Sequence, residues 1–112
     1  MTARYVPDRG DFVWLEFSPQ AGHEQAGHRP AFIVSPQAYN RKTGLALVCP
    51  LTTQVKGYPF EVLVPPGQKA KGAILSDQLK SLDWKARHAR FIEKAPSDLT
   101  AEVLAKAVTL LS

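Results

Sequence analysis

The chain has 112 residues, 45% of them apolar, enough for one core, and it reads as one domain over residues 1–112. Its one cysteine, Cys49, excludes an internal disulfide. No apolar run approaches the roughly 18 residues of a membrane helix, and MTARYVPDRGD lacks the apolar stretch of a secretory signal, so the expected location is the cytoplasm. A net charge of +4 favours a polyanionic partner without proving one.

The first element is GDFVWLEF (Gly10–Phe17), dense in β-formers and read as a strand buried on much of both faces. SPQAGHEQAGH is a loop longer than a hairpin needs, and long loops in small domains are often functional. RPAFIVS is the second strand, with Pro30 at a strand start, where its missing N–H costs nothing. PQAYNRKTG carries turn signals at Asn40 and Gly44. LALVCPLT is the third strand, with Cys49 as a buried thiol and Pro50 pointing to an edge or a bulge. FEVLV, GAILS, QLKSLDW and ARFIE supply four more strands. In the tail, Ser97 or Asp98 caps an amphipathic helix of about four turns, with Leu99, Val103, Ala107 and Leu110 on one side. Many short strands followed by one helix imply a small, strongly bent sheet or barrel with the helix packed on it.

The loop before the second strand is chemically loaded. EQAGHRP brings Glu24, His28 and Arg29 (an acid, a titratable base and a fixed cation) to the strand mouth. Three more familiar motifs fail. HEQAGH places His23 and His28 five residues apart, about 140° around a helix, so the two rings would not share a zinc ion. GQKAKGA (Gly67–Ala73) has P-loop glycine spacing but lacks the Lys-Ser/Thr pair that contacts phosphate and Mg²⁺. Cys49 has neither a nearby His nor a second Cys, so it supports neither a zinc site nor a thiol nucleophile. No metal or cofactor is therefore expected. What remains is Glu24, His28, Arg29, the hydroxyls of Thr52 and Thr53, and lysines. RNA brings its own nucleophile, the 2′-OH, and needs only a base, an acid and groups that stabilise phosphorane charge. The basic run Lys80, Lys85, Arg87, Arg90 and Lys94, diluted by Asp83 and Glu93, is either a solvated face or a nucleic-acid surface.

The blocks EQAGHRPAFIVSP, YNRKTG, CPLTTQVKGYPFEV and LSDQLKSLDWKAR, in that order, closely resemble the MazF/PemK family of toxin endoribonucleases, nearest its MazF branch. The resemblance implies a mainly β fold, an SH3-like barrel of about seven strands over about residues 9–95 (the MazF/PemK/CcdB-like toxin fold), with a C-terminal helix over about 97–111. It implies a homodimer held in check by a cognate antitoxin. It also implies metal-independent cleavage of single-stranded RNA at a short motif, leaving 2′,3′-cyclic phosphate and 5′-hydroxyl ends. The family's catalytic arginine and threonine map onto Arg29 and Thr52. An arginine, with a pKa above about 12, is a poor general base, so Glu24 or His28 is expected to take that part. Phe17 is the best candidate for stacking on a base. Thr53, Lys56, Gln78 and Lys80 are candidate RNA contacts, Lys56 being equally readable as a solvated turn lysine. Two other functions fit the same features: a non-enzymatic, gyrase-binding toxin of the same fold, although the TLLS terminus lacks the aromatic tip of that class, and a plain RNA-binding module.

Overall fold

The computed structural model describes residues 5–16 and 28–112. Its elements are β1 (Asp11–Glu16), β2 (His28–Ile33), α1 (Gln37–Thr43), β3 (Leu45–Thr52), β4 (Glu61–Leu63), β5 (Ala73–Leu75), β6 (Lys80–Asp83), β7 (Arg90–Lys94) and α2 (Ser97–Thr109). The strands form one seven-stranded antiparallel sheet in the order β4-β5-β3-β2-β1-β7, with β6 also on β3. The expected architecture, mainly β with a C-terminal helix, is the one found. The barrel is barrel-like rather than closed, since its hydrogen-bonded path ends at β4 and at β7.

Strand alternation explains the core. Successive side chains leave opposite faces of a strand, and β1 to β3 are apolar on both. One face carries Phe12, Phe32 and Cys49 against Leu99 and Val103 of α2. The other carries Val13, Leu15, Ala31, Ile33 and Val48 beneath Trp84, which lies just after β6. Chain leaving β6 must cross this second face to reach β7, and Trp84 is buried on the way. Cys49 is fully buried, as expected of a packing thiol; burial pushes it up to about 12, and Asp77 adds to the effect. Trp14 is the exception in the strand read as buried on much of both faces, with 37% of its surface exposed.

Three local expectations are corrected. PQAYNRKTG is not a turn but contains α1. Pro36 stands at its N-cap position, and Gly44 closes it with a φ of 77°, a left-handed conformation that glycine adopts without strain. Of the two turn signals, Gly44 therefore marks a helix boundary and Asn40 does not. Asn40 is fully buried inside this helix.

Pro50 is on neither an edge nor a bulge. β3 is the hub of the sheet: β2 lies along one side, with Ala31 opposite Pro50. Along the other side, β6 pairs as far as Val48 and β5 takes over at Leu51. The carbonyl of Leu47 accepts from Val34 on the β2 side. By alternation, the missing N–H of Pro50 faces the other side, in the gap between β6 and β5, where no ladder bond is lost.

At α2, Pro96 rather than Ser97 or Asp98 occupies the N-cap, with no side-chain cap bond; the Asp98 carboxylate instead accepts from the N–H of Leu99 at 2.9 Å. Leu99, Val103 and Ala107 face the core as expected. Leu110 does not, because the helix ends at Thr109 and leaves it 51% exposed.

The first described residues are tied down by charge. The Tyr5 hydroxyl donates to the carboxylate of buried Asp11, and the Lys94 ammonium lies 2.7 Å from Asp11 Oδ1 and 3.5 Å from Asp8 Oδ2. Partial burial tends to raise the Asp8 carboxyl. The amides of Gln37 and Arg9 and the Lys94 charge outweigh it and hold the group below its ordinary value. A depressed carboxyl stabilises the fold above its unfolded-state pKa, and that contribution disappears as pH falls through the folded value. Asp8→Asn is thus expected to lower stability to urea at pH 7, with the gap to the unaltered protein narrowing below about pH 4. Parallel urea titrations at the two pH values check it, and a gap that does not change with pH contradicts it.

Candidate active site

The β2–β3 ladder pairs Ile33 with Val48, Phe32 with Cys49 and Ala31 with Pro50. Continued two residues, this register sets Arg29 opposite Thr52 at the shared end of the two strands. Both then lie on the face that carries Ala31, Ile33 and Val48. Farther along, those residues sit under the Trp84 segment; at the strand ends Arg29 is exposed and Thr52 half-buried. Lys80, the exposed first residue of β6, pairs with Val48 and so joins the same face. A guanidinium and a hydroxyl thus share the end of two paired strands, a donor set suited to a phosphate, with Lys80 on the same face four residues back along β3, opposite Val48.

The Thr52 hydroxyl is oriented by its own turn. Its oxygen accepts from the N–H of Gln54 at 3.0 Å, the local bond typical of threonine at a strand end. That bond uses a lone pair and leaves the O–H proton for an outside acceptor.

His28 does not join Arg29. Adjacent residues of a strand face opposite ways: Arg29 pairs with Leu15 and His28 with Glu16. Glu16 sits between two imidazoles, its Oε2 3.5 Å from His28 Nε2 and its Oε1 3.0 Å from His88 Nδ1. The β1–β7 register pairs Trp14 with Arg90 and, continued, sets His88 across from Glu16. His28, Glu16 and His88 therefore form a row across β2, β1 and the chain entering β7, on the side away from Arg29. His88 holds a left-handed φ of 55°, the one non-glycine residue to do so among the described residues.

The other predicted contacts are spread around this end. Thr53 is exposed next to Thr52. Lys56 is exposed in a turn organised by Glu61, whose carboxylate accepts from the amides of Lys56 at 3.1 Å and Gly57 at 2.7 Å. Gln78 is exposed, with its amide donating to the Leu75 carbonyl in the approach to β6. Glu24 and Phe17 lie outside the described residues.

The basic run divides by role. Lys94 is spent on Asp8 and Asp11. Arg87 braces the β6–β7 crossing against β1: its carbonyl accepts from the Glu16 N–H at 3.0 Å and its Nη1 donates to the Glu16 carbonyl at 3.1 Å. Lys85 lies over the Trp84 ring at 5.8 Å. Neither the Glu16–His88 pair nor the Arg87 brace is legible from the residues in order, since their partners are distant along the chain. Among the described residues, no group of three or more His, Cys, Asp or Glu side chains is placed to hold a metal ion.

A small curled sheet with an exposed guanidinium and an oriented hydroxyl at the shared end of two strands is the frame of an anion-binding protein. The sequence matches the PemK-like, MazF-like toxins of type II toxin–antitoxin systems over residues 8–111, and the chain belongs to that family. It is 57% identical over 89 residues to the endoribonuclease toxin MazF of Escherichia coli K12, covering 80% of this chain and 79% of the relative. It is 36% identical over 110 residues to the endoribonuclease PemK of Escherichia coli, covering 94% of this chain and 82% of that one. Among solved structures, the fold superposes with a TM-score of 0.92 on a crystal structure of MazE–MazF from Deinococcus radiodurans, at 53% identity over 96% of this chain and 97% of that chain.

Proposed function

We propose that this protein is the endoribonuclease toxin of a type II toxin–antitoxin pair, cutting single-stranded RNA at a short motif without a metal. The observation that carries the reading is the register that sets Arg29 opposite Thr52 on one face, with Lys80 farther along the same face. In the step inferred, the RNA 2′-oxygen attacks the adjacent phosphorus as a base takes its proton. The bond to the 5′-oxygen breaks, and that oxygen leaves with a proton from the general acid. The products are a 2′,3′-cyclic phosphate and a 5′-hydroxyl. Arg29 holds the phosphoryl oxygens with two N–H groups, and Thr52 donates its remaining proton to a non-bridging oxygen; both interactions strengthen as charge develops. Thr53, Lys56, Gln78, Lys80 and Phe17 form the RNA track. The chain works as one domain in a cytoplasmic homodimer, with a cognate antitoxin covering the track.

The alternation of β2 favours Glu24 over His28 as the base, because His28 faces Glu16 instead of the Arg29 side. Glu24→Gln is expected to remove the acidic limb of the pH–rate profile while His28→Ala retains it. Loss of that limb in His28→Ala alone would reverse the assignment.

The test of function is incubation of the purified protein with a long single-stranded RNA in EDTA, followed by mapping of the ends. Cuts at one recurring motif with 5′-hydroxyl ends are expected. Intact RNA would overturn the reading and turn attention to the gyrase-binding alternative.

A further inference from the structure

We propose that Gly72 is a positioning residue for Thr52, a role that rests on the ribonuclease reading above. Gly72 lies in GQKAKGA, the stretch whose glycine spacing resembles a phosphate loop without being one. Its use is different. A Cβ built at Gly72 would meet the Thr52 carbonyl oxygen at 2.1 Å, the Thr52 carbonyl carbon at 2.9 Å and the Thr53 Cα at 3.2 Å. All three are backbone atoms and cannot swing aside. The β3–β5 ladder pairs Leu51 with Ile74 and Thr52 with Ala73, so Gly72 is the next residue along, across from Thr53. The carbonyl of Gly72 is held in turn by the N–H of Val64 at 2.9 Å, which stops the β5 side from retreating. The last turn of β3 is therefore seated directly on Gly72. That seat sets the height of Thr52 above the sheet end, and with it the position of the hydroxyl opposite Arg29.

Gly67 supplies a matched control. Its φ of 98° equals that of Gly72, but a Cβ there meets nothing within 4 Å. Substitution by alanine puts a side chain at the same positive φ at both sites, and only at Gly72 does that side chain also run into Thr52.

The experiment compares RNA cleavage by the unaltered protein, Gly72→Ala and Gly67→Ala, with kcat and KM separated. A displacement of about 1 Å in a reacting group can cost about 10²-fold, so Gly72→Ala is expected to lose about that much kcat with KM little changed. Gly67→Ala is expected to keep its kcat. Gly72→D-Ala, made by ligating two segments at Cys49, covers the case in which Gly72→Ala does not fold. A D-residue accepts positive φ and sends its methyl in a different direction, so this protein is expected to fold and cleave. Full kcat in Gly72→Ala, equal losses in Gly72→Ala and Gly67→Ala, or lost kcat in a folded Gly72→D-Ala protein would each overturn the proposal. An unaltered protein that does not cleave RNA would overturn the ribonuclease reading and this proposal with it, whereas cleavage by that protein with any of the three results above would overturn the positioning role alone.

Discussion

Arg29→Ala is expected to lower kcat for RNA cleavage by about 10²- to 10³-fold, the usual cost of deleting one group that stabilises charge in a transition state. The reasoning is geometric. Arg29 enters the active end from β2, next to Leu15 on one side and, by continued register, Thr52 on the other. Its backbone is part of the ladder and its side chain is exposed, so truncation removes the guanidinium without opening a core cavity. Melting temperature should barely move while kcat collapses. Arg29→Lys separates charge from shape: a lysine keeps the charge but loses the two-pronged donor geometry, so it is expected to recover only part of the loss. Single-turnover cleavage at saturating enzyme measures both. Equal activity in Arg29→Ala and the unaltered protein would remove Arg29 from the chemistry.

The largest expected effect on stability is at Asn40. Asn40 Nδ2 donates to the carbonyls of Pro7 at 2.9 Å and Ser35 at 3.0 Å, and its Oδ1 accepts from the Ser35 hydroxyl at 2.5 Å. Its own carbonyl accepts from Trp84 Nε1 at 3.0 Å. The buried side chain thus joins the segment before β1 to the chain just after β2, and the backbone carbonyl of the same residue holds the crossing that covers the sheet. Asn40→Leu takes the Asn40 donor from the Pro7 and Ser35 carbonyls and the acceptor from the Ser35 O–H, although the Ser35 oxygen still accepts from the Leu47 N–H at 2.8 Å. At about 1–3 kcal/mol for each lost partner, offset by the apolar replacement, the net loss is expected at about 3–5 kcal/mol. That is a large share of the roughly 5–15 kcal/mol that holds a small domain together. Urea unfolding measures it. In a double-mutant cycle with Ser35→Ala the two changes should not add, because Ser35 is a direct partner. A loss below about 1 kcal/mol would show that the network is dispensable.

The parts of the molecule legible in the sequence are those governed by period and local chemistry. The strands around Phe12, Phe32 and Val48 alternate over apolar residues, and Leu99, Val103 and Ala107 recur at helical spacing, so their elements and core faces followed directly. What failed depended on neighbours. Pro50 looked like an edge marker because a proline in a central strand ordinarily loses a ladder bond; only the handover from β6 to β5 provides a gap for it. α1 was hidden because Asn40, a turn-former by propensity, is held in a helix by three buried partners. At the site, Arg29 and Thr52 were legible through motif resemblance, and their juxtaposition follows from register. The separation of His28 from Arg29 was not read, although strand alternation predicts it once His28 is placed inside β2 rather than in the loop. Gly72 was seen only as a failed phosphate motif, since a backbone contact with Thr52 leaves no mark on local composition.

The position of β3 also bears on how the activity arises in time. This strand pairs with β2, which precedes it in the chain, and with β5 and β6, which follow it only after β4. Such non-local pairings form late and slowly, because each must close a long loop before it gains any contact. Arg29 meets Thr52 only after the β2 pairing is made, and Thr52 reaches its seat only after β5 has docked. Cleavage is therefore expected to appear together with the completed sheet and not in a partly paired chain, which refolding followed in parallel by fluorescence and by RNA cleavage would check.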